Sequence, residues 1–268
     1  MPESDIKGFS LLFYCILIGG NGMEGFIFNT RVSYDDIDNE EKLTLKGIMS
    51  MMQETAIIDS SRCGFGLKEI HTKQMAWILS QWHIRVIGEA EWNDNVRVET
   101  WVQSMDRIKC IRNFEIRNMQ GETIAVAESV WVLVNVKSGH PVKLTDNIAN
   151  LYKQIGRPVF EDKLPRILSV EGTKIDVGTV TRRDLDTNNH VNNRIYVDLA
   201  QDALPEKYRN SAFSEIMVHY HRQLLLGASV ECCCHCQNGM HIVDIFEKGC
   251  DRCCAQVIFI KEKHSDTK

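Results

Sequence analysis

The twelve residues from Arg182 to Asn193, RRDLDTNNHVNN, carry two aspartates, four asparagines and one histidine between two apolar segments. Asp186, Asn188 and His190 alternate along it. A histidine can take up a proton near neutral pH. A neighbouring carboxamide can donate to a carbonyl oxygen or to a water, and a carboxylate can fix a neighbour's tautomer or orientation. If a helix starts just after His190, its first N–H groups have no intrahelical partner and point at whatever occupies that end. Donors of that kind stabilise a developing oxyanion. Together these residue types suit hydrolysis of an acyl group. The same types are also the preferred helix caps, so DTNN reads equally well as a cap. A single histidine is more often a surface or core residue than a catalyst.

The elements that position this stretch follow from periodicity. Lys174 to Thr181 reads as a strand and Asn192 to Ala203 as a helix that buries Val191, Ile195, Leu199 and Ala203, with Pro205 ending it. Three or four strands are expected from Ser214 to Glu262. Upstream, Phe26 to Val32 is a strand, and about Thr44 to Ser60 is a helix with Leu45, Ile48, Met49, Met52, Ala56 and Ile57 on one face. Gly64 and Gly66 break that helix. Four runs rich in β-branched and aromatic residues follow: Ala76 to Ile87, Val96 to Gln103, Cys110 to Arg117 and Thr123 to Val136. The stretch from Leu144 to Glu171, with Pro158 and Pro165, reads as a crossing linker.

The order of elements therefore recurs. YDDIDNEEKLTLKGI (Tyr34 to Ile48) lies over RRDLDTNNHVNNRIY (Arg182 to Tyr196) at a constant offset of 148, pairing Asp36 with Asp184 and Asp38 with Asp186. SQWHIRVIG further resembles VHYHRQLLLG. A tandem duplication accounts for this order. Only the second copy has Asn188 and His190; the first has Glu40 and Lys42 there. The expected chemistry thus belongs to one copy.

Composition sets the outer bounds. The chain has 268 residues, 44% apolar and 25% charged, which suits one large domain or two small ones. A net charge of −5 without a basic run argues against a nucleic-acid partner. The apolar run from Phe9 to Ile18 is too short to span a bilayer, and MPESDIK before it lacks the positive region of a secretion signal. Residues 1–24 are expected to form an extension outside the fold, with a secretion signal and a membrane or partner contact as the alternatives, and a chain starting at Met23 is expected to fold without it. Seven of the ten cysteines lie between Cys232 and Cys254. Without secretion they stay reduced, which points to the cytoplasm.

Cys233/Cys236 and Cys250/Cys253 form two C-x-x-C pairs compatible with a zinc ribbon. On a regular strand, residues three apart face opposite sides, so the expectation is reduced thiols and no metal. Trp77, Trp82, Trp92, Trp101 and Trp131, like Met49, Met51 and Met52, read first as packing, with a role in lining an acyl pocket as the alternative. No G-x-S-x-G elbow and no Gly-rich phosphate loop occurs, and no cofactor is expected.

RRDLDTNNHVNNRIYVDLAQDALP closely resembles the signature D-L-D-x-N-x-H-V-N-N of the acyl-acyl-carrier-protein thioesterases of bacteria and plant plastids. WILSQWHIRV, VRVETWVQSM, FEIRNMQGETIAVAESVWVLVN and GHPVKL extend the likeness to the first half, so that it covers about Phe26 to Glu262. The resemblance implies an α+β tandem hotdog, each unit a long helix wrapped by an antiparallel sheet. Its expected limits are 25–144 and 173–268 around a linker 145–172. It implies hydrolysis of the thioester between a fatty acyl chain and the phosphopantetheine arm of acyl carrier protein, releasing free fatty acid in fatty acid biosynthesis. Asp186, Asn188 and His190 match its catalytic positions. Where its members often carry Glu-Cys on a following strand, this chain has Gln223 and Leu224. Glutamine cannot act as a base at neutral pH but can position a water. Hydrolysis of acyl-CoA and a catalytically weak acyl-binding role are the alternatives. Stable membrane insertion is not expected, and pairing of two chains is left open.

Overall fold

A computed structural model describes residues 25–161, 172–209 and 211–261; the N-terminal run from Phe9 to Ile18 lies outside them. Ten strands form one antiparallel sheet. The first half supplies β1 (Phe26–Arg31), β2 (Met75–Val86), β3 (Asn95–Met105), β4 (Lys109–Asn118) and β5 (Thr123–Asn135). The second supplies β6 (Lys174–Thr179), β7 (Glu215–Tyr220), β8 (Ser229–Gln237), β9 (Met240–Glu247) and β10 (Cys253–Ile260). From its outer edge inward each half has the same order, β1-β3-β4-β5-β2 and β6-β8-β9-β10-β7. The two inner strands pair with each other, Gln81 with His219 through Arg85 with Glu215. The halves are thus related by a pseudo-twofold that passes through a continuous sheet.

Each half lays one helix on the same face of that sheet. Helix α1 (Leu45–Arg62) starts where the Thr44 hydroxyl accepts the Gly47 N–H at 3.1 Å, an ordinary threonine cap. It buries Ile48, Met49, Met51, Met52, Thr55 and Ala56. Ile57, expected on this face, is more than a third exposed, and Met51 and Thr55 are buried instead, because the helix is enclosed over a wider arc than a single stripe. A seven-residue α2 (Leu67–Lys73), not anticipated from periodicity, ends at Gln74 in the left-handed region at φ 54°. Short helix α3 (Asp146–Ala149) follows the first half, whereas the second half's central helix α4 (Asn193–Asp202) is followed by the short α5 (Glu206–Arg209). Ile48, Met52, Trp82, Phe114, Val197, Ala200, Val218 and Val257 belong to one core shared by both halves. Complete burial of each large apolar side chain contributes about 1.5–3 kcal/mol.

The helices repeat the pseudo-twofold in their polar contacts. Lys46 Nζ meets Asp198 Oδ2 at 2.8 Å, and Arg194 Nη1 donates to Ser50 Oγ at 2.7 Å. At the offset of 148, Lys46 corresponds to Arg194 and Ser50 to Asp198. The same contact is made twice, once in each direction, as at an isologous interface.

Between the halves the chain stays packed on the first one up to Phe160. Trp77 Nε1 donates to the Tyr152 hydroxyl at 2.9 Å and Trp101 Nε1 to the Arg157 carbonyl at 2.7 Å. Phe160 stacks on His83 at the seam, 3.6 Å between ring centroids. There His83 on β2 is hydrogen-bonded to Glu215 on β7, and Arg85 lies 3.3 Å from the same carboxylate. The bond to His83, more than the charge of Arg85, holds the Glu215 carboxyl below its ordinary range against the opposing effect of burial. A carboxylate with a depressed folded-state pKa stabilises the fold above its unfolded value of about 4.3. That contribution disappears as pH falls through the lower folded value. Glu215→Gln should therefore lower stability by roughly 1 kcal/mol at neutral pH, allowing for partial exposure. Melting curves of the two proteins should converge as the pH is lowered through the carboxylate range; a gap independent of pH would contradict this account.

Candidate active site

The turns ahead of the two helices are built identically. In the first, the Asp38 carboxylate accepts the N–H groups of Glu40 at 2.9 Å and Lys42 at 3.0 Å, while the Asp38 N–H donates to the Lys42 carbonyl at 2.9 Å. In the second, the Asp186 carboxylate accepts from Asn188 at 2.8 Å and His190 at 3.1 Å, and the Asp186 N–H donates to the His190 carbonyl at 2.8 Å. Glu41 and Asn189 both take the left-handed conformation, with φ 63° and 60°. Asparagine tolerates that region better than most residues. The D-φ-D repeat is thus explained locally: its second aspartate satisfies the amides of a tight turn, whatever side chains the turn displays.

In the second turn these side chains are Asn188, exposed, and His190, half-buried. Helix α4 begins three residues after His190, with the Asn192 carboxamide accepting the Arg194 N–H at 3.2 Å. The Ile195 N–H donates to the Asn192 carbonyl at 2.9 Å. Two of the helix's first amides are therefore taken up by its own cap. This narrows the sequence expectation that they face a substrate oxygen, and leaves the Asn188 carboxamide as the displayed donor.

The loop after β7 completes the arrangement. The Val191 N–H donates to the Leu224 carbonyl at 3.4 Å, and the Leu224 N–H donates to the Tyr196 hydroxyl at 2.9 Å. These bonds seat Gln223, exposed, beside the turn that carries His190. The first half makes the matching bond from Leu43 to Ala90 at 2.8 Å. Ile87 and Gly88 both donate to the Ile124 carbonyl, as His221 and Arg222 do to that of Cys254. The loops therefore correspond at an offset of 134, which replaces the spacing of the SQWHIRVIG and VHYHRQLLLG comparison. On this register Gln223 stands at the place of Glu89. In the first half Glu89 pairs with Lys42, the counterpart of His190, at 3.1 Å. Gln223 and Leu224 lie in this loop and not on a strand as expected, because β7 ends at Tyr220.

Tyr196 was not singled out by the sequence. The available signal was its hydroxyl on the core-facing side of the helix, where the first copy has Ile48. Trp82 and Trp101 are buried, as are Met49, Met51 and Met52, whereas Trp92 is about half exposed at 52%. In the cysteine-rich segment, Cys233 is buried and Cys236 exposed on the regular strand β8, on opposite faces as alternation requires. Among the described residues no two cysteines form a disulfide, and no group of three or more His, Cys, Asp and Glu is placed to hold a metal.

Two helix-on-sheet units sharing one antiparallel sheet, with a polar turn at the head of the second helix, make this molecule a tandem hotdog. The chain belongs to the acyl-ACP thioesterase family: the pattern of the family's N-terminal domain matches residues 25–152 and that of its C-terminal domain residues 169–260. Among curated relatives, the palmitoyl-acyl carrier protein thioesterase, chloroplastic, of Cuphea hookeriana is 28% identical over 77% of this chain and 54% of its own length. Oleoyl-acyl carrier protein thioesterase 1, chloroplastic, of Arabidopsis thaliana is 24% identical over 76% of this chain and 62% of its own. The chain thus spans about half the length of the curated relatives it matches. Among solved structures, an acyl-ACP thioesterase from Bacteroides thetaiotaomicron superposes with a TM-score of 0.76 at 21% identity, covering 88% of this chain and 97% of that one. The 12:0-ACP thioesterase from Umbellularia californica gives 0.75 at 19% identity, covering 90% and 98%.

Proposed function

We propose that this chain hydrolyses the thioester between a fatty acyl group and acyl carrier protein, releasing free fatty acid for fatty acid biosynthesis, with Asn188 and His190 as the reacting groups. The observation that carries the reading is the duplicated turn. One backbone is built twice, and only the second copy displays an amide and an imidazole where the first displays Glu40 and Lys42.

In this reading His190 takes a proton from a water, whose oxygen attacks the thioester carbonyl carbon. The Asn188 amide donates to the oxygen on which negative charge develops. The carbon–sulfur bond then breaks, and the departing thiolate of the phosphopantetheine arm takes the proton from the imidazolium. Free acid and free carrier thiol result, with no covalent enzyme intermediate and no cofactor. Asp186 builds the turn, its Oδ1 atom being committed to two amides. Gln223, opposite His190 by the correspondence with Glu89 and Lys42, holds the attacking water. Among the described residues no helix is long and apolar enough to cross a membrane. In this reading the chain works in a reducing compartment, the cytoplasm, where cysteines stay as thiols.

The test is release of free thiol and free acid from palmitoyl-acyl carrier protein and from palmitoyl-CoA by the purified protein. Turnover of the carrier thioester is expected to exceed that of the CoA thioester. The reverse preference would assign the chain to acyl-CoA, and turnover of neither would end the hydrolase reading. Gln223 favours one competing reading, an acyl-binding protein with little turnover, because an amide cannot take the water's proton. Gln223→Glu separates the two. A carboxylate at position 223 can itself take the water's proton, which an amide cannot. The plateau kcat should then rise roughly 10-fold, less than the ~100-fold low end for a newly positioned base because His190 already serves as one. An unchanged kcat would place Gln223 outside the site.

A further inference from the structure

The two ends of the molecule share a backbone but not a charge. On the first end the turn and loop present Tyr34, Asp35, Glu89, Glu91 and Trp92. At the corresponding places the second end has Arg182, Arg183, Gln223, Leu225 and Leu226. Arg182 and Arg183 are exposed. Among the described residues the ion pair of Arg183 is with Asp184, at 4.0 Å, and the Asp184 carboxylate already accepts the N–H and hydroxyl of Thr181, each at 2.7 Å. Leu225 and Leu226 are 57% and 52% exposed, large apolar side chains turned to solvent beside the candidate catalytic turn. The backbone makes these groups one surface. The Gly227 N–H donates to the Val180 carbonyl at 3.0 Å and the Val180 N–H to the Ala228 carbonyl at 2.9 Å. The leucine loop is thereby tied to the strand that leads directly into Arg182.

We infer that Arg182, Arg183, Leu225 and Leu226 form the docking surface on which an acidic carrier protein delivers its acyl chain. The inference rests on the hydrolase reading above and specifies its partner contact. A chain of net charge −5 repels an acidic partner as a whole. A local basic patch at one end turns that repulsion into orientation, because complementary charge steers encounter and suppresses wrong poses. The acidic first end repels the same partner from the turn that lacks Asn188 and His190. Two exposed leucines between the arginines and Gln223 supply the apolar contact that charged rims alone lack. The surface continues the candidate site, so a tethered thioester reaches it without leaving the docked carrier.

Steady-state rates on two substrates test this: palmitoyl-acyl carrier protein, and the palmitoyl thioester of N-acetylcysteamine, which keeps the reacting bond without the protein. The double variant Arg182→Glu/Arg183→Glu should lose roughly 10- to 100-fold in kcat/KM on the carrier substrate, through KM, and should lose the wild type's sensitivity to salt. Its rate on the small thioester should be unchanged. Leu225→Ser/Leu226→Ser, which alters no charge, should show the same split without altering the salt dependence. An equal loss on both substrates, or no loss on the carrier substrate, overturns the docking surface while leaving hydrolysis intact. A wild-type protein inactive on both thioesters would instead overturn the hydrolase reading itself.

Discussion

Alanine at His190 is expected to lower kcat by roughly 100- to 1000-fold, and alanine at Asn188 by a similar factor. In the mechanism proposed above, the first loses the group that takes the water's proton, and the second loses the donor to the developing oxyanion. Both side chains are displayed by the turn and not used to build it, since its hydrogen bonds run through the Asp186 carboxylate and the backbone. Each variant should accordingly melt within about 0.5 kcal/mol of the parent, as surface substitutions do. The combined variant should be little worse than either alone, because groups that act in one step lose their effects together. Glu40→Ala and Lys42→Ala supply the internal control. They remove the equivalent side chains of the first turn, including the exposed Lys42–Glu89 pair, and should leave turnover intact. Thioester hydrolysis that survives in Asn188→Ala/His190→Ala would move the site elsewhere.

Asp186→Ala should be as inactive as these variants and also less stable. It strips the acceptor from two backbone amides, at a cost of about 1–3 kcal/mol, and releases the loop that aims Asn188 and His190. Asp38→Ala removes the same two bonds from the first turn. It should therefore show a similar fall in melting temperature with normal turnover per folded molecule. The pair separates architecture from chemistry within one protein. Asp186→Asn adds the sharper distinction, because asparagine keeps an acceptor oxygen at the same place. If Asp186 acts by shaping the turn, Asp186→Asn retains most activity and stability. If its charge takes part in the reaction, activity falls while the melting temperature holds, and the positioning role assigned to Asp186 is wrong.

Periodicity was enough to locate the long strands and both central helices, because each buries a regular face: β4 (Lys109–Asn118) and α4 (Asn193–Asp202) lie within a residue or two of the expected limits. The D-φ-D repeat was legible because a tight turn needs that carboxylate in both copies. The joining of β2 to β7 was not, since it pairs residues as far apart as Gln81 and His219, and nothing local marks which edge a strand will meet. The true correspondence of Gln223 with Glu89 was hidden for a related reason. Between turn and loop the first half is fourteen residues longer, holding an 18-residue α1 and the extra α2 against the ten residues of α4. One fixed offset therefore cannot align both segments. The role of Tyr196 was invisible for want of any marker that its hydroxyl would reach a loop amide 28 positions away.

The reciprocal contacts of Lys46 with Asp198 and of Arg194 with Ser50 are those of two identical partners, held within a single polypeptide. In a pair of separate but identical chains, one gene writes both active ends, and any change that improves one end is imposed on the other. Fusion removes that constraint. A codon at position 190 can become histidine while the codon at position 42 stays lysine. The surrounding arginines and acids can then be selected end by end. The result is a molecule with a front and a back, whose two ends can evolve under opposite demands.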